Sequence, residues 1–263
     1  MYNKGTYEGD IDEIKFVRIF NSDKENFKKY LDTFTNDPSN YWMVRVTTKQ
    51  TSHLNEKKVF TRADCYLAEI TDNSISDILD KNSLYLSEEI LETNHIRYRK
   101  IPKSGVSVKM TTSDNFQILK VRPDSFFKLF GTYELGAGAS LFCLREEELI
   151  KNNDLFDGWK TTASKMTDYY SQITKGDRSF YLDKHKCADI KTYASNKIKE
   201  TIDNDTILQQ KVFNGIFLYE EPYPAYYFYH GDDIEVLTTL PYYVTTGSGR
   251  SHGDYTIVLK PVR

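Results

Sequence analysis

Asp64 and Lys109 are the residues whose types and placement can do chemistry. Each sits in a run that reads as a β-strand, FTRADCYLAEI from Phe60 and SGVSVKM from Ser104. If the two strands pair, a carboxylate and an ammonium meet near their ends. Such a pair can hold a divalent metal and activate a water for phosphodiester cleavage. A hard cation wants oxygen ligands, and a developing phosphorane wants a positive neighbour. Alternation puts Phe60, Arg62, Asp64, Tyr66 and Ala68 on one face of the first strand, and Ser107 with Lys109 on one face of the second. Aspartate is disfavoured in strands, so Asp64 interrupts its run. The alternative is a structural ion pair between Asp64 and Lys109, which spacing does not distinguish from a site.

The elements that must position these residues begin with a helix over residues 10–21. Ile14, Phe16, Val17 and Phe20 recur at helical spacing, and Glu13 falls in the middle of that apolar stripe. A carboxylate there is costly unless it is paired, protonated or bound to a metal. A second helical segment over 24–34 ends at Asp37-Pro38. Strand-like runs follow at 41–47, 59–70, 105–110 and 115–121, with a polar exposed loop over 48–58. Residues 71–92 read as an amphipathic helix-and-turn insertion anchored by Ile75, Ile78, Leu79, Leu84 and Leu86. Segments 123–130 and 144–151 start helices. Between them, 139–144 reads as a buried strand behind a Gly-rich close approach. Residues 159–170 and 190–210 are helical in pattern, and from Val212 onward the chain turns β-like. The expected fold is α/β, a mixed central β-sheet flanked by helices with a β-rich C-terminal part. A catalytic core over 1–150 and a recognition part over 151–263 would divide it.

Composition sets the outer limits. The 263 residues carry a net charge of −3, with 39% hydrophobic residues, 15 Phe and 20 Tyr, enough for a sizeable core. That charge argues against bulk coating of nucleic acid, yet permits a local basic cleft. Between Arg97 and Lys128 eight lysines and arginines stand against Asp114 and Asp124. No apolar run reaches the length of a membrane span and no signal-peptide layout opens the chain, so no membrane partner is expected. The scattered Cys65, Cys143 and Cys187 favour a reducing cytoplasm. The five histidines are dispersed, no phosphate-binding P-loop occurs, and GAGAS lacks the spacing of a nucleophile elbow.

Two C-terminal features bear on binding. The loop TTGSGRSHGD offers Ser248, Arg250 and His252 on flexible glycines, suited to a DNA groove but equally to a plain hairpin turn. The aromatic run Tyr223, Tyr226, Tyr227, Phe228 and Tyr229 reads as a strand before it reads as a base-stacking surface.

The set Glu13, Asp64 and Ser107-Val108-Lys109 resembles the active-site layout of the PD-(D/E)XK nucleases, type II restriction endonucleases in particular. The opening NKGTYEGDIDEIKFVRIFN is similar to the first helix of several such enzymes. The later SGVSVKM, DNFQILK and FGTYELGAGASLF also resemble bacterial restriction-enzyme sequences. The resemblance spans about residues 3–143. It implies a Mg²⁺-dependent, sequence-specific endonuclease acting on double-stranded DNA as a homodimer. Asp64, Glu13 and the main-chain carbonyl of Val108 would hold the metal. Lys109 would orient or deprotonate the attacking water, and Gln117 and Lys120 would contact the phosphate backbone. Two positions depart from the family: Ala63 stands where proline is usual, and Ser107 where aspartate or glutamate is usual. A serine hydroxyl is a poor replacement for a carboxylate ligand. A nucleic-acid-binding protein that no longer cuts, or a phage-defence component without nucleic-acid contact, are the alternatives.

Overall fold

A computed structural model describes residues 4–109, 116–247, 250 and 253–262. The chain begins with α1 (Lys4–Ser22), a 3₁₀ turn (Lys24–Phe27), α2 (Lys28–Leu31), β1 (Tyr41–Arg45), β2 (Lys49–Thr51), β3 (Lys58–Phe60) and β4 (Cys65–Glu69). Next come α3 (Ile75–Lys81), α4 (Glu88–Thr93), β5 (Arg99–Lys100), β6 (Val106–Val108) and β7 (Leu119–Val121). A helical stretch holds α5 (Pro123–Phe130), α6 (Glu134–Ser140), α7 (Glu146–Leu149), α8 (Asn152–Gly158), α9 (Ala163–Tyr169), α10 (Ser171–Thr174), α11 (Lys184–Asn204) and α12 (Thr206–Phe213). The chain closes with β8 (Tyr227–His230), β9 (Asp233–Val236), β10 (Tyr242–Thr246) and β11 (Ile257–Pro261).

These elements form two compact units, residues 1–116 with 213–240, and residues 117–212 with 241–263. The division expected near residue 150 falls inside the second. The first unit is built on a mixed sheet of order β1-β4-β6-β8-β9, with β5 paired to β4. β4 runs antiparallel to both β1 and β6, whereas β8 lies parallel to β6. A parallel neighbour needs a long crossover, and residues 117–212 lie within this one.

Alternation along the strands explains the layering. Met43, Cys65, Leu67 and Val106 face Phe16, Val17 and Phe20 of α1 in one apolar cluster. Val44, Tyr66 and Ala68 face the opposite way, against Ile75, Ile78 and Leu79 of α3 and Leu91 of α4. The helical spacing read for α1 therefore marks the face that packs on the sheet, and a mixed sheet flanked by helices is present. In the second unit, Cys187, Ile190, Ala194, Ile198 and Ile202 form the buried stripe of α11, beside a sheet of order β10-β11-β7.

Several local expectations are corrected. Residues 59–70 are not one strand: β3 ends at Phe60 and β4 begins at Cys65, leaving Asp64 just before the strand. The loop expected over 48–58 forms most of a hairpin, in which β2 pairs with β3. Residues 139–144 are not a strand, because helix α6 runs to Ser140. The close approach expected there is real. A Cβ on Gly136 would lie 2.2 Å from the Trp159 ring, so the indole packs directly on the helix backbone. That burial overrides the poor helix propensity of glycine. The second helical segment is shorter than expected, ending at Leu31. Strand β7 pairs with β11 in the second unit's sheet.

Candidate active site

Backbone pairing delivers Asp64 to the centre of the first unit. Its N–H donates to the Val106 carbonyl at 2.9 Å, and its carbonyl accepts the Val46 N–H at 2.9 Å. Asp64 thus bridges β1 and β6 at the point where β4 starts. Gly105 makes room for this junction: a Cβ there would lie 2.0 Å from the Pro224 carbonyl oxygen.

The side chain of Asp64 meets the SVK segment. Its Oδ2 accepts the Ser107 hydroxyl at 3.0 Å and the Val108 amide N–H at 2.7 Å. Lys109 Nζ donates to Ser107 Oγ at 2.5 Å. The carboxylate, hydroxyl and ammonium therefore form a chain in which Lys109 reaches Asp64 by way of Ser107. Ser107 is only 5% exposed, so its hydroxyl serves this bridge rather than open solvent. Val108 presents its N–H to Asp64. Its carbonyl, which the family resemblance implies as a metal ligand, is a separate group that this hydrogen bond does not engage.

Glu13 arrives from α1, as its place on the apolar stripe foretold. Burial and the nearby negative charge of Asp64 raise its pKa to about 7, against the opposing influence of Arg45. Arg45 Nε meets Glu13 Oε2 at 2.6 Å, and its Nη2 meets Asp10 Oδ1 at 2.6 Å. Burial lowers the pKa of Lys109, although Asp64 acts in the other direction. A carboxyl held up and a lysine held down within one cluster is a pattern that functional sites and structural ion-pair networks share.

Two clefts open on this cluster. Asp64, Glu13, Asp10, Arg45, Phe60 and Thr61 line one of about 230 Å³. Lys109 lines another of about 380 Å³ with Asp12, Lys15, Val108, Tyr229 and Asp232. Among the described residues, no group of three or more His, Cys, Asp or Glu side chains gathers to hold a metal. The carboxylate pair of Asp64 and Glu13 nevertheless suits Mg²⁺, which binds through one or two carboxylates and completes its shell with water and substrate phosphate.

Of the remaining sequence-predicted residues, Gln117, Lys120 and Arg250 belong to the second unit. Gln117 and Lys120 are exposed in the second unit, where Lys120 pairs with Val258 across β7 and β11. Arg250 donates to the Ser140 carbonyl at 3.2 Å and stacks over Phe142 at 4.1 Å, which makes it an internal anchor of that unit. Ser248 and His252 lie outside the described residues. The basic run from Arg97 is partly neutralised. Arg99 pairs with Glu69 at 2.5 Å, Lys100 with Glu88 at 3.0 Å and Arg122 with Asp254 at 3.3 Å.

Sequence reasoning missed Arg45 and Asp10. A signal for Arg45 existed, since it is a charged residue in the otherwise apolar strand YWMVR. It also missed Glu88, for which no local pattern speaks. Among the described residues no helix is long and apolar enough to cross a membrane. Compared with models of known protein families, with curated proteins and with solved structures, the chain matched none.

Proposed function

We propose that this chain is a Mg²⁺-dependent phosphodiester hydrolase acting on double-stranded DNA, in the manner of the type II restriction endonucleases that its sequence resembles. One observation carries the reading: Glu13 and Asp64 line a single cleft, where burial first and the charge of Asp64 second raise the pKa of Glu13 to about 7 against the pull of Arg45. Asp64 and Glu13 would hold the metal, which when bound would polarise the scissile phosphate and stabilise the leaving oxyanion.

The protein's own groups supply the rest. Ser107 and the Val108 amide fix the Asp64 carboxylate in one orientation. Lys109 places a positive charge behind them and offsets the negative charge that builds on the phosphate. Its lowered pKa also suits it to exchange a proton with the attacking water. A two-fold symmetric target sequence would call for two copies of the chain.

A second reading is a nucleic-acid-binding protein that no longer cuts. Its support is that Ser107 replaces a carboxylate and that Arg45 already neutralises Glu13 at 2.6 Å. The deciding experiment incubates the purified protein with phage-length DNA, with Mg²⁺ or with a chelator, and resolves the products on a gel. Discrete fragments that need Mg²⁺ are expected. Asp64→Asn and Lys109→Ala should each lower the cleavage rate by about 10²–10⁴-fold while DNA binding persists. Undiminished cutting by either variant would place the chemistry elsewhere.

A further inference from the structure

The hairpin of β2 and β3 has a face that nothing in the hydrolytic reading uses. Its register sets Lys49 opposite Phe60 and Thr51 opposite Lys58. Residues two apart in a strand share a face, so these four side chains stand together, and all are exposed. Phe60 is 64% exposed, while the Lys49 ammonium lies 4.7 Å from its ring centroid. A lone exposed apolar residue is ordinary. This one differs because Phe60 is also a wall of the cleft that contains Asp64 and Glu13.

The flank of the same hairpin repeats the pattern. Gln50, Thr51 and His53 line a cleft of about 450 Å³ with Phe217. Phe217 is 57% exposed and has a backbone φ of 65°, a left-handed conformation that bulky side chains rarely adopt. A strained, solvent-facing aromatic costs stability, and such costs concentrate where a protein binds something. The root of the hairpin is firmly held, because Glu88 Oε2 accepts the N–H groups of Thr47 and Thr48, each at 2.9 Å.

We propose that this face is a stacking platform for an unpaired base of a nucleic-acid strand whose backbone continues into the Asp64 cleft. Phe60 offers the flat apolar surface, and Lys49 and Lys58 offer charge to the adjoining phosphates. The occupant is a single-stranded or locally unpaired segment, since a base inside a duplex stack has no free face to give. The inference rests on the hydrolytic reading for the direction of the strand, and it narrows the substrate class: the nucleotide beside the cut leaves the helical stack. Lysine is depleted at protein–protein interfaces, so a face that carries Lys49 on β2 and Lys58 on β3 suits a polyanion better than a protein.

The test measures binding without cutting, so that the two proposals fail separately. Fluorescence anisotropy in chelator compares a labelled single-stranded oligonucleotide with the same strand in a perfect duplex, for the wild type, Phe60→Ala and Phe60→Trp. Phe60→Ala should bind the single strand about ten-fold more weakly, with duplex binding little changed. Phe60→Trp should restore or exceed wild-type affinity, because a larger ring stacks better. Equal single-strand affinity for wild type and Phe60→Ala overturns the platform, whether or not the protein cuts DNA with Mg²⁺. Absence of single-strand binding by the wild type overturns it as well. A ten-fold loss in Phe60→Ala, from a protein that never cuts, upholds the platform and removes only the hydrolytic reading.

Discussion

Two buried carboxylate–lysine clusters lie within the first unit, and they are satisfied to very different degrees. Glu88 is 1% exposed, and its two oxygens accept Thr47 N–H, Thr48 N–H, the Thr48 hydroxyl, Tyr66, Tyr223 and Lys100. Burial alone would raise its pKa, yet the donors of Thr48, Thr47, Lys100 and Tyr223 outweigh it and hold the carboxyl at about 2. Glu13, also partly buried, sits beside a second carboxylate and is raised to about 7. The difference teaches what each cluster is for. A carboxylate with every lone pair filled ties elements together. Glu13, which burial and Asp64 raise against the pull of Arg45, keeps its proton to a higher pH.

The comparison breaks most forcefully at Glu88. Removing it takes the acceptor from the two threonine amides and leaves the Lys100 ammonium with the Tyr223 hydroxyl in place of a carboxylate. Glu88→Ala should therefore cost about 3–5 kcal/mol in chemical denaturation. Its pH dependence has a definite sign. The folded pKa lies below the ordinary glutamate value of 4.5, so the stabilisation is complete above about pH 4.5 and fades as the pH falls towards 2. The variant should lack that acid limb. Wild-type stability in Glu88→Ala would mean that the donors find other partners at no cost.

At Glu13 the sign reverses. Its folded pKa lies above the ordinary glutamate value of 4.5, so the folded state holds a proton that the unfolded chain releases. Stability is lost as the pH rises from about 4.5 through 7. Glu13→Gln should gain about 1–3 kcal/mol over the wild type at pH 8, and the gain should vanish at pH 5. A metal that binds between Glu13 and Asp64 would give the wild type, and not the variant, extra stability when Mg²⁺ is added at pH 8. Denaturation curves at both pH values, with and without Mg²⁺, measure all of this in one series. A flat difference across pH would show that Arg45 already neutralises Glu13 completely.

Legibility in the sequence follows the reach of each interaction. Phe16, Val17 and Phe20 announce α1 because a helix repeats its contacts every turn, and all three are fully buried. Asp64 and Ser107-Val108-Lys109 could be brought together on paper because each lies at the edge of a recognisable strand. The break between Phe60 and Cys65 is signalled only by Ala63 and Asp64, residues disfavoured in strands, which mark an interruption without saying how far it runs. The Glu88 cluster was invisible for a different reason. Its partners, Thr48, Tyr66, Lys100 and Tyr223, come from four separate parts of the chain, and no local pattern links them. The helix at 134–140 was hidden because its small residues answer to Trp159, which packs against it from beyond its end.

The smallest effect supplies the control. Arg99 and Glu69 also form a close pair, at 2.5 Å, but the side chains are 63% and 28% exposed. Water already solvates both charges when they are apart, so bringing them together gains little. Arg99→Ala should change stability by less than about 1 kcal/mol, and salt should erase even that. If Arg99→Ala cost as much as Glu88→Ala, desolvation would not be what separates the two buried clusters from the surface. The elevated pKa of Glu13 would then owe more to its neighbour Asp64 than to burial, and the pH series in Asp64→Asn should show the acid-to-neutral loss disappear.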